Sequence, residues 1–378
     1  MCPVKRSHRA IMALGFVLCF LFSQCGVKQP KVEEEEITVS IHSKDLTDGL
    51  TLKADSILSG MTLEERVGQC LMPSIPSSSE THNVQTLQKW IQDYHIGGVV
   101  LHKGDLTSAK LLSEIGEDAR IPLLVGIDAE WGLGMRLEDA PKYPKNGNIT
   151  KESGEVALFD YGQQIARECK EIGINLVLGP VIDVTSRRTG IIGTRSFGGD
   201  PELVSAFGIA YAKGVESGGI ISVAKHFPGH GGANQDSHYE TAKLNRSLSA
   251  LDTIDLTPFR NYISSGLSGI MAGHIQIPAI DPERKPASVS YFILTDLLQG
   301  EMGFQGLVLT DAFDMGGIKE YRASDALRAG ADIILCPKDI AEEYKNLLNE
   351  VKKETLDLRI INDRCRKILF YKLIFAIM

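Results

Sequence analysis

The sequence predicts an α/β chain whose folded part is a single (β/α)₈ barrel, and three observations carry that expectation. Short apolar or β-branched runs alternate with amphipathic stretches from about residue 55 to 370, the pattern of βα units and a parallel sheet. Eight such runs fall within about 300 residues, the size of an eight-unit barrel. No GxGxxG opens a helix after the first run, which disfavours an open, doubly wound sheet. Composition agrees with a globular enzyme-sized fold. Of 378 residues, 43% are hydrophobic and 23% charged, which excludes disorder and a coiled coil. The net charge of −8 argues against a nucleic-acid partner, which needs a basic face. The 37 glycines suit a fold with many tight strand–loop junctions.

Taken in order, the chain opens with Lys5, Arg6 and Arg9 ahead of an apolar run over 10–22, too short to span a membrane as a helix. Ser23-Gln24-Cys25 follows, so residues 1–25 read as an export signal with Cys25 at the lipidation position of a bacterial lipoprotein. The alternative is a cleaved secretory peptide in which Cys25 is incidental. Residues 26–45, with Glu33-Glu34-Glu35-Glu36, read as a solvated acidic tether. This places the protein in the cell envelope, attached to the membrane through Cys25, with the barrel over 46–378. The expected strands are 68–72, 98–101, 122–127, 175–178, 221–224, 269–272, 306–310 and 332–335. Helical patterns between them include 63–67, 152–172, 201–217, 288–301 and 340–353, and the apolar end over 368–378 is expected to be the closing helix. Cys70, Cys169, Cys336 and Cys365 are scattered without any CxxC, so they read as buried thiols and not as a zinc site or a disulfide framework.

In such a barrel the chemistry sits at the C-terminal ends of the strands. The polar residues there are His102, Lys103, Asp128, Asp183, Lys225, His226, His274 and Asp311. Each one alone is open to a structural reading as a cap or a satisfied core group. The stretch from Lys225 to His238 holds three His and one Asp, which invites a metal reading. Pro228-Gly229 separates His226 from His230, however, so those two cannot share a helix face, and neither HxH nor HExxH is present. Asp236 and His238 lie two apart. A carboxylate beside an imidazole raises its pKa and suits a proton donor, while a surface Asx turn explains the same pair equally well. A buried strand delivers Asp311 to the barrel mouth, where it is a nucleophile or the N-cap of the next helix; Asp314 lies on the loop beyond. Asp128, Arg195 and the aromatic Trp131 supply groups that a polyhydroxylated ligand requires.

These segments resemble the glycoside hydrolase family 3 β-N-acetylhexosaminidases. The resemblance rests on Lys225-His226-Phe227-Pro228-Gly229-His230-Gly231 followed by Asp236-Ser237-His238. It extends through Gly60-Met61-Thr62-Leu63-Glu64-Glu65-Arg66-Val67-Gly68-Gln69, Gly179-Pro180-Val181-Ile182-Asp183-Val184, Arg195-Ser196-Phe197-Gly198 and the strand leading to Asp311. It implies Asp311 as nucleophile and His238, oriented by Asp236, as general acid/base. Asp128, Arg195, Lys225 and His226 would hold the sugar hydroxyls, with no metal and no organic cofactor. The implied activity is retaining removal of terminal N-acetylglucosamine from peptidoglycan fragments or other glycans. A family 3 β-glucosidase or β-xylosidase and a catalytically silent sugar-binding lipoprotein are the alternatives, and phosphate in place of water as acceptor is a further one. Two departures stand out. Family members commonly carry Asp-Thr where this chain has Gly232-Ala233, and the segment after Asp128 reads Ala-Glu-Trp-Gly-Leu-Gly-Met-Arg, so a basic rim contact is not carried over to Arg136.

Overall fold

The computed structural model describes residues 44–78, 80–149, 151–233 and 241–378. The expected leader, Cys25 and nearly all of the tether lie outside the described residues, as do Asp236 and His238. The strands in chain order are β1 Leu71–Met72, β2 Ser74–Ser77, β3 Gly98–Gly104, β4 Leu124–Ile127, β5 Leu176–Val177, β6 Ile221–Phe227, β7 Ala242–Lys243, β8 Gly269–Ala272, β9 Ile275–Gln276, β10 Leu307–Thr310 and β11 Ile334–Leu335. Seven of them form one curled parallel sheet in the order β2-β3-β4-β5-β6-β8-β10. β11 pairs in parallel with β1, and a bridge joins Leu309 of β10 to Ile333. Only Pro73 separates β1 from β2; it has no N–H for the ladder, but its carbonyl accepts from Val100 N at 2.8 Å. Because the strands are parallel, their C-terminal ends all open onto the same end of the sheet. β7 and β9 make a small separate pair.

All eight expected strand regions hold an observed strand, but the first is displaced. The helix expected over 63–67 is present, started by a reciprocal cap between Thr62 and Glu65, and it runs on through Gly68 and Gln69, so the strand begins only at Leu71. Gly68 is what lets that helix sit close: a Cβ there would lie 2.1 Å from the Tyr94 carbonyl oxygen. The expected helices at 152–172, 201–217 and 340–353 appear as Gly154–Glu171, Pro201–Ser217 and Ile340–Lys352. The one expected over 288–301 is instead a 3₁₀ turn, Ala287–Val289, followed by a π-helix, Phe292–Glu301. Its wide spacing shows at the end, where Met302 N donates to Leu297 O at 2.8 Å. The last helix begins earlier than the apolar run suggests, at Leu358, where Asp357 caps it by accepting from Arg359 N, and it ends at Ile374. Helices Lys44–Ser59, Thr81–Tyr94, Leu106–Glu117, Thr257–Ser264 and Ala323–Ala329 complete the outer layer.

The strands are buried on both faces, as expected of a parallel sheet covered by helices. A second small core joins Ala54 and Leu58 of the first helix, and Met61 just beyond it, to Cys365, Leu369 and Leu373 of the last. The four body cysteines are free thiols; Cys70, Cys169 and Cys365 are buried and Cys336 is half-buried. Burial pushes the Cys365 thiol up to about 12, which makes it inert packing. Asp332 ties β10 and β11 to the last helix from the opposite end of the sheet. Its Oδ2 accepts from Val308 N and from Lys367 Nζ, each at 2.8 Å, and Oδ1 lies 3.5 Å from Arg364 Nη1. Replacing a fully buried carboxylate with this set of partners strands all three donors. Asp332→Ala is expected to lose about 3 kcal/mol of stability in urea unfolding; a loss below about 1 kcal/mol would show the tie to be dispensable.

Candidate active site

β6 is buried along its whole length, yet it carries a lysine and a histidine side by side. The ammonium of Lys225 is 3% exposed and is held between two carboxylates supplied by the loop after β4. Its Nζ lies 2.6 Å from Asp128 Oδ1 and 2.8 Å from Glu130 Oε1. Arg195, ending the 3₁₀ turn Gly193–Arg195, grips the same Glu130 with two bonds, Nε to Oε2 at 2.9 Å and Nη2 to Oε1 at 2.7 Å. Its own backbone is fixed by Asn146, whose Nδ2 donates to the Arg195 carbonyl at 2.9 Å. Arg136 completes the cluster by pairing with Asp128, Nε to Oδ2 at 3.2 Å. Burial opposes ionisation of Asp128, but Lys225 and Arg136 outweigh it and hold the carboxyl far below its ordinary range. Glu130 follows the same logic: burial raises it, and Lys225 and Arg195 bring it well down. Burial likewise opposes charge on Lys225, and Asp128 and Glu130 push its pKa above the ordinary value.

A second buried arrangement lies beside the first. Asp183, fully buried, accepts from His226 Nδ1 at 2.7 Å through Oδ2. Its Oδ1 accepts the backbone N–H of His230 at 2.6 Å and that of His226 at 3.3 Å. With Nδ1 donating to Asp183, Nε2 of His226 is left to accept from Arg195 Nη2 at 3.3 Å. His226 and His230 thus meet, with ring centroids 5.9 Å apart, although no helix relates them. What joins them is the carboxylate of Asp183. Gly231 makes this turn possible, since a Cβ there would lie 2.1 Å from the Val184 carbonyl oxygen. Burial lowers the pKa of His230, and the neighbouring His226 adds to the effect. Among the described residues no group of three or more His, Cys, Asp and Glu is disposed to hold a metal ion.

Asp311 stands at the end of β10, half-buried, with its N–H donated to Ala272 O at 2.8 Å. Its Oδ1 accepts from Ala312 N at 2.9 Å. The N-cap alternative is excluded, because no helix starts there; the next helical turn is Gly316–Ile318. Burial opposes ionisation of Asp311, but His226, His274, the Ala312 N–H and Lys225 together hold its carboxyl below the ordinary value. His274 is wholly buried and bonded through both ring nitrogens, Nδ1 to Ser288 Oγ at 2.7 Å and Nε2 to Ala312 O at 2.9 Å. His102 is half-buried, and burial followed by the charge of Arg136 lowers its pKa. Lys103 and Asp314 are exposed. Lys145 Nζ lies 5.1 Å from the ring centroid of Trp131, so an ammonium covers one face of that aromatic.

The structure therefore brings Asp128, Arg195, Lys225 and His226 into one bonded network, with Asp311 within electrostatic reach of Lys225 and His226. Two groups, Glu130 and Ser288, went unmarked in the sequence, and Arg136, to which the resemblance carries over no rim contact, pairs with Asp128. Glu130 is the shared acceptor of Lys225 and Arg195, and its position two residues after Asp128 was the available signal. Arg136 returns to Asp128 because the turn Leu133–Met135 folds the chain back. Ser288 sits on the 3₁₀ turn Ala287–Val289, in a segment that reads as the start of an ordinary helix.

Residues 62–370 match the glycosyl hydrolase family 3 N terminal domain. The chain belongs to glycosyl hydrolase family 3 and is a glycoside hydrolase. It is similar to β-hexosaminidases of Nitrosomonas eutropha, 36% identical over 260 residues, and of Neisseria meningitidis serogroup C, 35% identical over 273 residues. These matches cover 65% and 67% of this chain and 74% and 75% of the relatives. Among solved structures it is similar to a family 3 β-N-acetylglucosaminidase from Paenibacillus sp. str. FPU-7, with a TM-score of 0.78 and 29% identity. That match covers 84% of this chain and 63% of the Paenibacillus chain. It is similar also to LpqI of M tuberculosis, with a TM-score of 0.74 and 28% identity, covering 83% of this chain and 95% of that one.

The buried ammonium sets a test. Carboxylates with depressed pKa values contribute stability above the unfolded value of about 4, and that contribution is lost as pH falls through the folded values. Lys225→Met removes the main counter-charge of both. It is expected to cost about 3 kcal/mol in urea unfolding at about pH 7 and clearly less near pH 4, where the carboxyls begin to take up protons. An equal deficit at both pH values would show that Lys225 acts by packing alone.

Proposed function

We propose that this glycoside hydrolase is a retaining exo-β-N-acetylglucosaminidase acting on terminal, non-reducing β-linked N-acetylhexosamine, with peptidoglycan fragments among its substrates. The observation that carries the reading is Asp311. It is ionised, oriented by Ala312 N–H, and set at the mouth beside a buried ring of charged hydrogen-bonding groups. Lys225 and Arg195 supply donors and Asp128 supplies an acceptor for sugar hydroxyls, and their mutual ion pairs hold them in place before substrate arrives. In the first step His238 protonates the glycosidic oxygen while Asp311 attacks the anomeric carbon, forming a glycosyl-aspartate as the aglycone leaves. In the second, water attacks that ester with His238 as base, and the configuration is retained. Asp236 orients the imidazole. The names of the relatives support the choice of hexosamine.

The same reading extends to architecture and location. The run of pairings β2-β3-β4-β5-β6-β8-β10, continued by the Leu309–Ile333 bridge and by β11 with β1, supports a closed barrel of eight units if β1 and β2 count as one strand broken at Pro73. Export to the cell envelope and lipid attachment at Cys25 rest on the order of basic, apolar and Cys residues at 5–25.

The protein is expected to hydrolyse an aryl β-N-acetylglucosaminide with retained configuration and without sensitivity to chelator, and Asp311→Asn to lose activity by about a thousandfold or more. Faster turnover of the aryl β-glucoside would reassign the substrate, and wild-type activity no higher than that of Asp311→Asn would favour a sugar-binding role. His238→Ala should slow substrates with poor leaving groups by about 10²-fold or more while sparing activated ones; equal losses on both would remove His238 as the acid. Cys25→Ser should move the protein from the membrane to the soluble fraction, and an unchanged distribution would dismiss the lipid anchor.

A further inference from the structure

His274 lies beyond β8, faces no solvent, and has no place in the double displacement described above. Its two hydrogen bonds nevertheless fix where one proton sits. The carbonyl of Ala312 can only accept, so the proton of the ring is on Nε2, 2.9 Å away. In the neutral ring Nδ1 is then a lone pair, and it accepts the hydroxyl proton of Ser288 at 2.7 Å. Burial lowers the pKa of His274 and so favours this neutral form, against the pull of Asp311, the Ala312 carbonyl and Asp314. The ring is also fixed in plane, because the edge of Phe313 meets it at 5.7 Å between centroids.

The other end of the same bond is the nucleophile's own loop. Ala312 is held twice, by its carbonyl on His274 and by its N–H on Asp311 Oδ1 at 2.9 Å. The residues on either side are held as well: Asp311 N donates to Ala272 O at 2.8 Å, and Phe313 N donates to Leu335 O at 2.9 Å. The Ala312 carbonyl and N–H belong to successive peptide units; with the later unit held by His274 and Leu335 and Asp311 N held by Ala272, the unit between has little freedom to turn, and its N–H stays aimed at Oδ1. That bond favours the charged carboxylate, stops its rotation, and leaves Oδ2 for bond formation.

We propose that His274, with its ring held by Ser288 and its Nε2 proton fixed by the Ala312 carbonyl, is a positioning residue for the Asp311 carboxylate and acts through the Ala312 backbone. The inference rests on the reading of Asp311 as nucleophile. It deepens that reading by naming what keeps the carboxylate in one orientation. Among the described residues, the groups within electrostatic reach of Asp311 include Lys225 and His226 from β6, His230 from the loop after it, His274 after β8 and Cys336 after β11. Of these, only His274 is bonded to the Ala312 peptide.

The experiment uses the full chain and an aryl β-N-acetylglucosaminide with a good leaving group, so that attack by Asp311 is read without help from an acid. His274→Asn is long enough for Ser288 and too short for Ala312; His274→Gln can still present an N–H to the Ala312 carbonyl. For His274→Asn, kcat is expected to fall about tenfold or more with KM little changed. The acidic limb of the kcat/KM profile should move to higher pH, because a carboxylate that loses a hydrogen bond to its charged form is easier to protonate. His274→Gln should recover most of the rate and return the limb toward its wild-type position. Ser288→Ala, which keeps the ring and removes its second hydrogen bond, should shift the limb in the same direction by less, and it carries the test if His274→Asn fails to fold. An acidic limb unmoved in Ser288→Ala and His274→Asn, with rate losses that follow melting temperature and no advantage for Gln over Asn, would reduce His274 to a packing residue. That outcome leaves the nucleophile reading standing. An Asp311→Asn variant as active as wild type would overturn that reading and this inference with it.

Discussion

The burial of the Lys225 ammonium inside β6 is the constraint on which the rest of the site depends. A charge in that position is costly unless opposite charges meet it at bonding distance, and the desolvation must be offset at both ends of the pair. Asp128 and Glu130 do so from the end of β4, at 2.6 and 2.8 Å. Each of those carboxylates then needs further donors for its remaining oxygen. Arg136 answers Asp128 and Arg195 answers Glu130. The cluster therefore recruits its members outward from one lysine, and no member can be removed without stranding another.

The same reasoning explains why rigid strands and a turn, and not flexible loops alone, present these groups. Lys225 and His226 are adjacent in one strand, so their side chains point to opposite sides of it under ideal pleating. The peptide bond between them is cis, as are those joining Phe227 to Pro228 and Gly179 to Pro180. Asp183 gathers His226 and His230 on its two oxygens, and Arg195 bridges that group to the carboxylates through His226 Nε2. The arrangement is polar, buried and almost fully paired, which is the condition under which such networks hold a defined shape.

Across the mouth, the electrostatics favour a charged Asp311. Burial works against it, and the surrounding His and Lys groups with one backbone N–H prevail. A nucleophile must be ionised and an acid must be protonated at the same pH, so the two roles need different surroundings. The surroundings of Asp311 meet the first requirement. In the proposed mechanism the second belongs to His238, which lies outside the described residues.

Much of the fold is legible along the chain because strand and helix periods are local properties. The alternation of apolar runs and amphipathic stretches locates eight strand regions, and chain order alone places Asp128, Lys225, His226, His274 and Asp311 at or just after strands. Where reading failed, a local device intervened: the capped helix expected over 63–67 runs on to Gln69 and displaces the first strand, and wider hydrogen-bond spacing made 292–301 a π-helix. Partnership was not legible, because it joins residues far apart in sequence. Lys225 and Asp128 are 97 positions apart, Arg195 and Glu130 are 65, His226 and Asp183 are 43, and His274 and Ala312 are 38. The sequence by itself determined which segments form strands and which polar residues stand at their ends. Only the tertiary structure decided which of them share a proton or a charge, since such pairing is set by distances of about 3 Å that arise when distant strands are brought side by side.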